Sequence, residues 1–191
     1  MPCFARIINN VVIETVALPV GETPAAYYPA ALAGVWQPCS AAAAAGWLWD
    51  GTAVVPPPAP TPAEVAAAAV VAMQVAFNTA LTAGITVPNV PTPGANLPVA
   101  TDFNSLTLVH GAYTAASAGL FATTPWQTPT GFVTLTAAQV ITVGQAVLTF
   151  EQGCFGRLQT VTAAIETALA SSPDPATQIA AIAAAAVWPT S

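Results

Sequence analysis

Between Val140 and Leu169, apolar residues recur every three or four positions: Val140, Val143, Val147, Phe150, Cys154, Leu158, Val161, Ile165 and Leu169. That spacing is the period of one face of a helix. An unbroken helix over it is roughly 50 Å long at about 1.5 Å rise per residue, which predicts a bundle built around one long member. Thr136-Ala137-Ala138-Gln139 supplies its start, because a Thr and a Gln three residues later can satisfy each other's backbone N–H groups. Gly153 and Gly156 each weaken a helix by about 1 kcal/mol relative to Ala and make this the place for a kink. The stripe reads first as the core of its own chain. Its length and the scarcity of flanking charge keep a seam between chains open, with Val147, Phe150 and Leu158 as contact residues.

Other helices follow from the same signals. Thr61-Pro62-Ala63-Glu64 is a second capping box, with proline where no N–H is needed. Val70, Met73, Phe77 and Leu81 continue it as an apolar stripe, and Gly84 ends it. A turn-rich stretch through Pro88, Pro91, Pro93 and Pro98 precedes a shorter helix starting near Asp102. That helix is expected to bury Leu106, Val109, Tyr113 and Leu120. A final helix starts at Asp174-Pro175, turns Ile179, Ile182, Ala186 and Val187 inward, and stops before Trp188-Pro189.

The first 55 residues have a different character. Phe4–Ile8 and Val11–Val16 are β-rich runs separated by Asn9-Asn10, a pair that tolerates the positive φ of a two-residue hairpin turn. Trp47-Leu48-Trp49, Asp50-Gly51 and Thr52–Val55 suggest a second hairpin, and Val35-Trp36-Gln37 a further short strand. Pro56-Pro57-Pro58-Ala59-Pro60 then favours extended polyproline II and serves as a semi-rigid spacer. The expected architecture is α+β: a small antiparallel β module over 1–55, a Pro-rich linker over 56–61, and a helical domain over 62–191 with one long helix.

Composition bounds the function. The chain has 191 residues, 55% of them hydrophobic and only 5% charged, with eight acids, two arginines (Arg6 and Arg157) and no lysine. Ordinary soluble surfaces are about 25–35% charged, so either Thr, Ser, Gln and Asn cover this surface or, the favoured reading, much of it is covered by other chains. Two isolated arginines against a net charge of −6 cannot displace counterions from phosphates, so no nucleic-acid partner is expected. The segment from Val65 to Ala83 is uncharged, but Gln74, Asn78, Thr79 and Thr82 interrupt it. It also lacks Lys/Arg flanks and an aromatic belt, so no membrane span is expected. The opening Met1-Pro2-Cys3-Phe4-Ala5-Arg6 has no basic stretch followed by an apolar one, the pattern of a secretory signal.

Chemistry finds few candidates. His110 stands alone, far from any nucleophile motif, and reads as a hydrogen-bonded helix residue. Without lysine the usual phosphate-binding loop cannot form. Cys3, Cys39 and Cys154 give no zinc spacing and read as reduced, mostly buried thiols, with a Cys3–Cys39 bridge left open. Glu14 and Glu22 are as near in sequence as any two carboxylates of the chain, and they lie in a strand-and-loop context. No catalytic, cofactor-binding or metal-binding residue is assigned, and an enzyme acting on host-surface polysaccharide is the remote alternative. Trp36, Trp47 and Trp49 form the core or the contact surface of a module near the lower size limit for independent folding. At least one of them is expected to pack against a partner chain, since buried aromatics are common interface anchors.

Two stretches carry a family likeness. Gly46-Trp47-Leu48-Trp49-Asp50-Gly51 before the proline run, with the opening Ala5-Arg6-Ile7-Ile8-Asn9-Asn10-Val11-Val12, resembles N-terminal regions of tailed-bacteriophage tail proteins and tail-fibre assembly proteins. Trp126, Phe132–Gln139, Gly144–Val147, Cys154-Phe155, Ile165–Ala168 and Trp188-Pro189 are similar to a phage-tail domain family of unknown function, over roughly 102–189. This chain mostly lacks the charged residues that members carry along the long helix. The resemblance implies a structural protein of the tail tip, baseplate or fibre region, made in the host cytoplasm and residing in the virion. Its partners would be other tail proteins and copies of itself. A fibre-assembly chaperone absent from the finished particle is the alternative.

Overall fold

The computed structural model describes residues 1–33 and 35–189. The chain is α+β and divides into two compact units, Met1–Ala59 and Pro60–Ser191. The first is a five-stranded antiparallel sheet. Its strands are β1 (Cys3–Ile8), β2 (Val11–Ala17), β3 (Trp36–Cys39), β4 (Leu48–Trp49) and β5 (Val54–Val55), in the order β3-β1-β2-β4-β5. A short α1 (Ala30–Ala33) precedes β3.

Asn9 and Asn10 take φ of 51° and 62°, which closes the β1–β2 hairpin in the two-residue turn that the sequence predicts. The Asp50-Gly51 turn differs from expectation. It is a four-residue loop, in which Asp50 Oδ1 accepts the backbone N–H groups of Thr52 and Ala53, each at 2.8 Å. Ala5, Val12, Leu18 and Trp36 form the small core of this unit.

The second unit holds α2 (Pro62–Thr82), β6 (Ile85–Pro88), β7 (Asn96–Val99), α3 (Phe103–Ser117), β8 (Thr123–Thr128), β9 (Gly131–Thr136), α4 (Ala137–Ser171) and α5 (Pro175–Ala184). Both capping boxes form: Thr61 with Glu64 opens α2, and Thr136 with Gln139 opens α4. The long helix runs for 35 residues through both glycines. Val140, Val143, Val147, Phe150, Cys154, Val161 and Ile165 are buried along it; Leu169 points outward and Ala168 takes the last inward position. On α2, Met73 and Phe77 are buried, with Val70 and Leu81 packed partly against the cores.

Three expectations fail here. The β6–β7 hairpin lies in the stretch expected to be turn-rich, and a second hairpin, β8–β9, stands between α3 and α4, so the domain expected to be helical also carries strands. Leu120 and Val187 are each 75% exposed rather than inward, because both lie beyond the ends of the helices whose stripes they seemed to extend.

The core divides into two clusters along α4. One gathers Phe77, the inward residues of β6 and β7 (Ile85, Val87, Leu97, Val99), Leu106 and Val109 of α3, and the N-terminal half of α4. The other joins Ala66 and Met73 of α2 to Val161, Ile165 and Ala168 of α4 and Ile179 of α5. α2 is long and apolar enough to cross a membrane by length and composition, yet its buried residues serve both of these clusters.

The caps predict an acid response. Backbone and side-chain N–H or O–H donation from Thr61 lowers the Glu64 pKa, and donation from Ser105 lowers that of Asp102. Because these folded-state values are depressed, the stabilisation is complete above the ordinary carboxylate range and is lost as pH falls through the lowered values. Helical circular dichroism is expected to be flat at neutral pH and to decline only on strong acidification. A decline already beginning near neutrality would contradict this.

Candidate protein-contact site

The aromatic residues of the β module separate into two groups. Trp36 is 6% exposed, with its ring centroid 4.7 Å from that of Tyr28 at a 32° tilt. It therefore belongs to the core of its own unit. Trp47 and Trp49 remain half-buried beside the β4–β5 loop, available to a partner.

On the long helix the expected contact residues fall mostly inside. Val147 is fully enclosed and Phe150 only 8% exposed, both packed in the first cluster, so both serve the core of their own chain rather than an open seam. Leu158 is half-buried where the two clusters meet. A stripe stepping by three and four marks whichever face is buried, and here α2, α3 and the hairpins bury it.

The outward faces have a distinct chemistry. On α4, Thr142, Thr149, Thr160, Thr167 and Ser171 each donate their hydroxyl to the carbonyl four residues earlier, at 2.7–3.1 Å. Thr79 and Thr82 on α2, and Thr107 and Thr114 on α3, do the same. These nominally polar side chains have their donors satisfied internally and turn methyl groups or spare lone pairs outward. Val71 and Val75 on α2, Phe103 and Leu108 on α3, and Phe155 on α4 stand exposed among them.

Most of the charges are engaged within the chain. Arg6 Nε lies 2.5 Å from Glu14 Oε1 across β1 and β2, so Glu14 is committed to an ion pair rather than to a carboxylate pair with Glu22. Arg157 donates to the Ala185 carbonyl at the end of α5, at 3.4 Å. Asp102 and Asp174 cap α3 and α5, and Glu64 caps α2. Glu151 Oε2 lies 2.8 Å from His110 Nε2, an α3–α4 pair that residues 41 apart in sequence could not announce. Among the described residues of this unit, Glu166 alone carries a charge with no cap, ion pair or backbone hydrogen bond.

That His–Glu pair has a thiol nearby but no usable nucleophile. Cys154, one turn beyond Glu151, is fully enclosed; burial, and then the Glu151 charge, raise its pKa. A raised pKa keeps it as the thiol rather than the reactive thiolate. Among the described residues no group of three His, Cys, Asp or Glu could hold a metal ion.

A groove of about 750 Å³ opens between the β6–β7 hairpin, α3 and β8. Thr86, Pro98, Ser105, Leu108, Pro125 and Trp126 line it, and no lining residue is titratable. It can receive an uncharged segment but cannot exchange protons at neutral pH. The groove was not foreseen, although Trp126 within the alternation of Thr123–Thr128 was the signal for the strand that walls it.

A family model described as a domain of unknown function (DUF4376) matches residues 64–187, covering α2 through α5. No curated protein matches the chain.

Proposed function

The chain belongs to the family of that domain of unknown function, DUF4376, and on that premise we propose that it is a non-enzymatic structural protein of a bacteriophage tail. It packs in the tail-tip, baseplate or fibre region against other tail proteins and copies of itself. It is made in the host cytoplasm and resides in the virion. The phage assignment rests on the motif resemblance over Gly46–Gly51 and over 102–189.

The observation that supports a packing role is the helical surface, where hydroxyls bond back to their own helices and charges sit in caps and pairs. Covering such a face strands few donors and desolvates few ions, the two main penalties of burying polar surface. Burial of apolar area contributes roughly 25 cal/mol per Å², and a standard interface removes about 1,600 Å². That leaves a favourable balance after the several kcal/mol that association costs.

Mass spectrometry of purified particles tests the assignment. Arg6 and Arg157 are the only tryptic sites in the sequence, so a protease that cuts at aromatic residues is needed. Peptides in stoichiometric amount are the expected result. Absence from particles, with the protein found bound to fibres during assembly, would instead identify an assembly chaperone.

A separate prediction concerns the forces. The full chain is expected to self-associate or join its assembly to the same extent at low and high salt, since exposed pairs screened within about 8 Å are too few to matter. Light scattering of a monomer at both salts, or of an oligomer that dissociates as salt rises, would contradict the packing role.

A further inference from the structure

We infer that Cys3 and Cys39 constitute a modification site: exposed to a low-molecular-weight disulfide, the two thiols close into an intramolecular disulfide while Cys154 stays reduced. The two residues lie 36 positions apart in sequence but directly opposite each other on β1 and β3. Directly opposed residues of an antiparallel pair have Cα atoms about 4.5–5.5 Å apart, inside the window of about 4.4–6.8 Å that a disulfide spans. No backbone shift is required. The sulfurs are 3.0 Å apart, with the Cys39 S–H donating to Cys3 Sγ. β3 is an edge strand, and both cysteines are half-buried, so a small reagent can reach them. Cys154 lies enclosed within the α4 core of the other unit and cannot compete.

The pair has an order of reaction. Burial, then the hydrogen bond and charge of Cys3, push the Cys39 pKa up to about 12, so Cys39 is the sulfur that keeps its proton. Cys3 as the thiolate attacks one sulfur of the reagent. The reagent's S–S bond breaks, one of its halves leaves as thiolate, and Cys3 carries a mixed disulfide. Removal of the Cys3 charge eases ionisation of Cys39, whose sulfur then attacks the Cys3 sulfur and expels the second half. Two protein thiols are oxidised to one disulfide, one reagent disulfide is reduced to two thiols, and the two protein protons end on those thiols. The product pins β3, and with it Trp36, to β1.

Incubating the dilute full-length protein with oxidised glutathione, then alkylating under denaturing conditions, tests this. The expected product has lost two hydrogens, yields the Cys3 peptide linked to the Cys39 peptide, and alkylates only at Cys154. Tryptophan fluorescence should report a β-module transition higher by on the order of 10 °C than after reduction, because a loop of this length is closed. Cys39→Ser is expected to trap the glutathione adduct on Cys3. Three alkylatable thiols after treatment, a persistent adduct on the unsubstituted protein, or a bridge that includes Cys154 or a second chain would each overturn the inference.

Discussion

Replacing Gly144 with alanine is expected to destabilise the second unit by about 2–3 kcal/mol, the upper part of the range for overpacking a core. Gly144 lies buried where α4 meets α3. A Cβ there would come within 2.4 Å of Tyr113 Cδ2 and 2.7 Å of Tyr113 Cβ. The ring could rotate, but Tyr113 Cβ is fixed to the α3 backbone, so the two helices would have to separate. The opposing gain, about 1 kcal/mol for Ala over Gly in a helix interior, is the smaller effect. Gly156 supplies the control, since a Cβ there meets nothing within 4 Å. Gly156→Ala should stabilise by about 0.5–1 kcal/mol. Urea denaturation measures both, with midpoints moving in opposite directions at unchanged slope. A Gly144→Ala midpoint equal to or above that of the parent would mean that α3 and α4 do not approach this closely.

Thr101→Val is the second large effect. Thr101 is the fully buried polar residue of the described core. Its hydroxyl accepts from the Gly84 N–H at 2.9 Å and donates to the Leu81 carbonyl at 2.5 Å. One side chain thus ties the end of α2 to the segment entering α3. Valine has nearly the same shape, so no cavity forms. What is lost is partners: a donor and an acceptor are left facing a methyl group. At about 1–3 kcal/mol for each group left unsatisfied, a loss of about 3 kcal/mol is expected. Thr101→Ser, which retains the hydroxyl and loses one methyl, should cost about 1 kcal/mol. If the valine and serine variants unfold at the same urea concentration, the hydrogen bonds contribute nothing beyond packing.

The elements legible in the sequence were those whose signals are local. Thr61 with Glu64, and Thr136 with Gln139, mark helix starts because both partners lie within one turn. Asn9-Asn10 marks its hairpin for the same reason. The β6–β7 hairpin was hidden because Pro88 and Pro98 stand inside four-residue strands, where proline argues against a strand. Those strands gain stability by packing Ile85, Val87, Leu97 and Val99 into the first cluster, which no window of sequence displays. The same limit applied to the contact surface. The apolar stripe of α4 is visible, but which other chain segments cover it is not, so the sequence leaves Val147 and Phe150 open between core and contact residues; both lie in the core of their own chain. The pairing of His110 with Glu151, and the approach of Cys3 to Cys39, are likewise products of tertiary folding.

The division of the core along α4 sets how the second unit opens. Leu158 and Trp188 are the partly buried residues that pack against both clusters. Each cluster can therefore loosen with only those two side chains transmitting the disturbance to its neighbour. Backbone amides near Val143 and Val147, beneath both the hairpin and α3, will exchange their hydrogens for deuterium most slowly. Those from Val161 onward, held by α5 and the start of α2, will exchange earlier as a group. α4 is one rod by hydrogen bonding, yet its protection is expected to fall into two parts, with the change near Leu158.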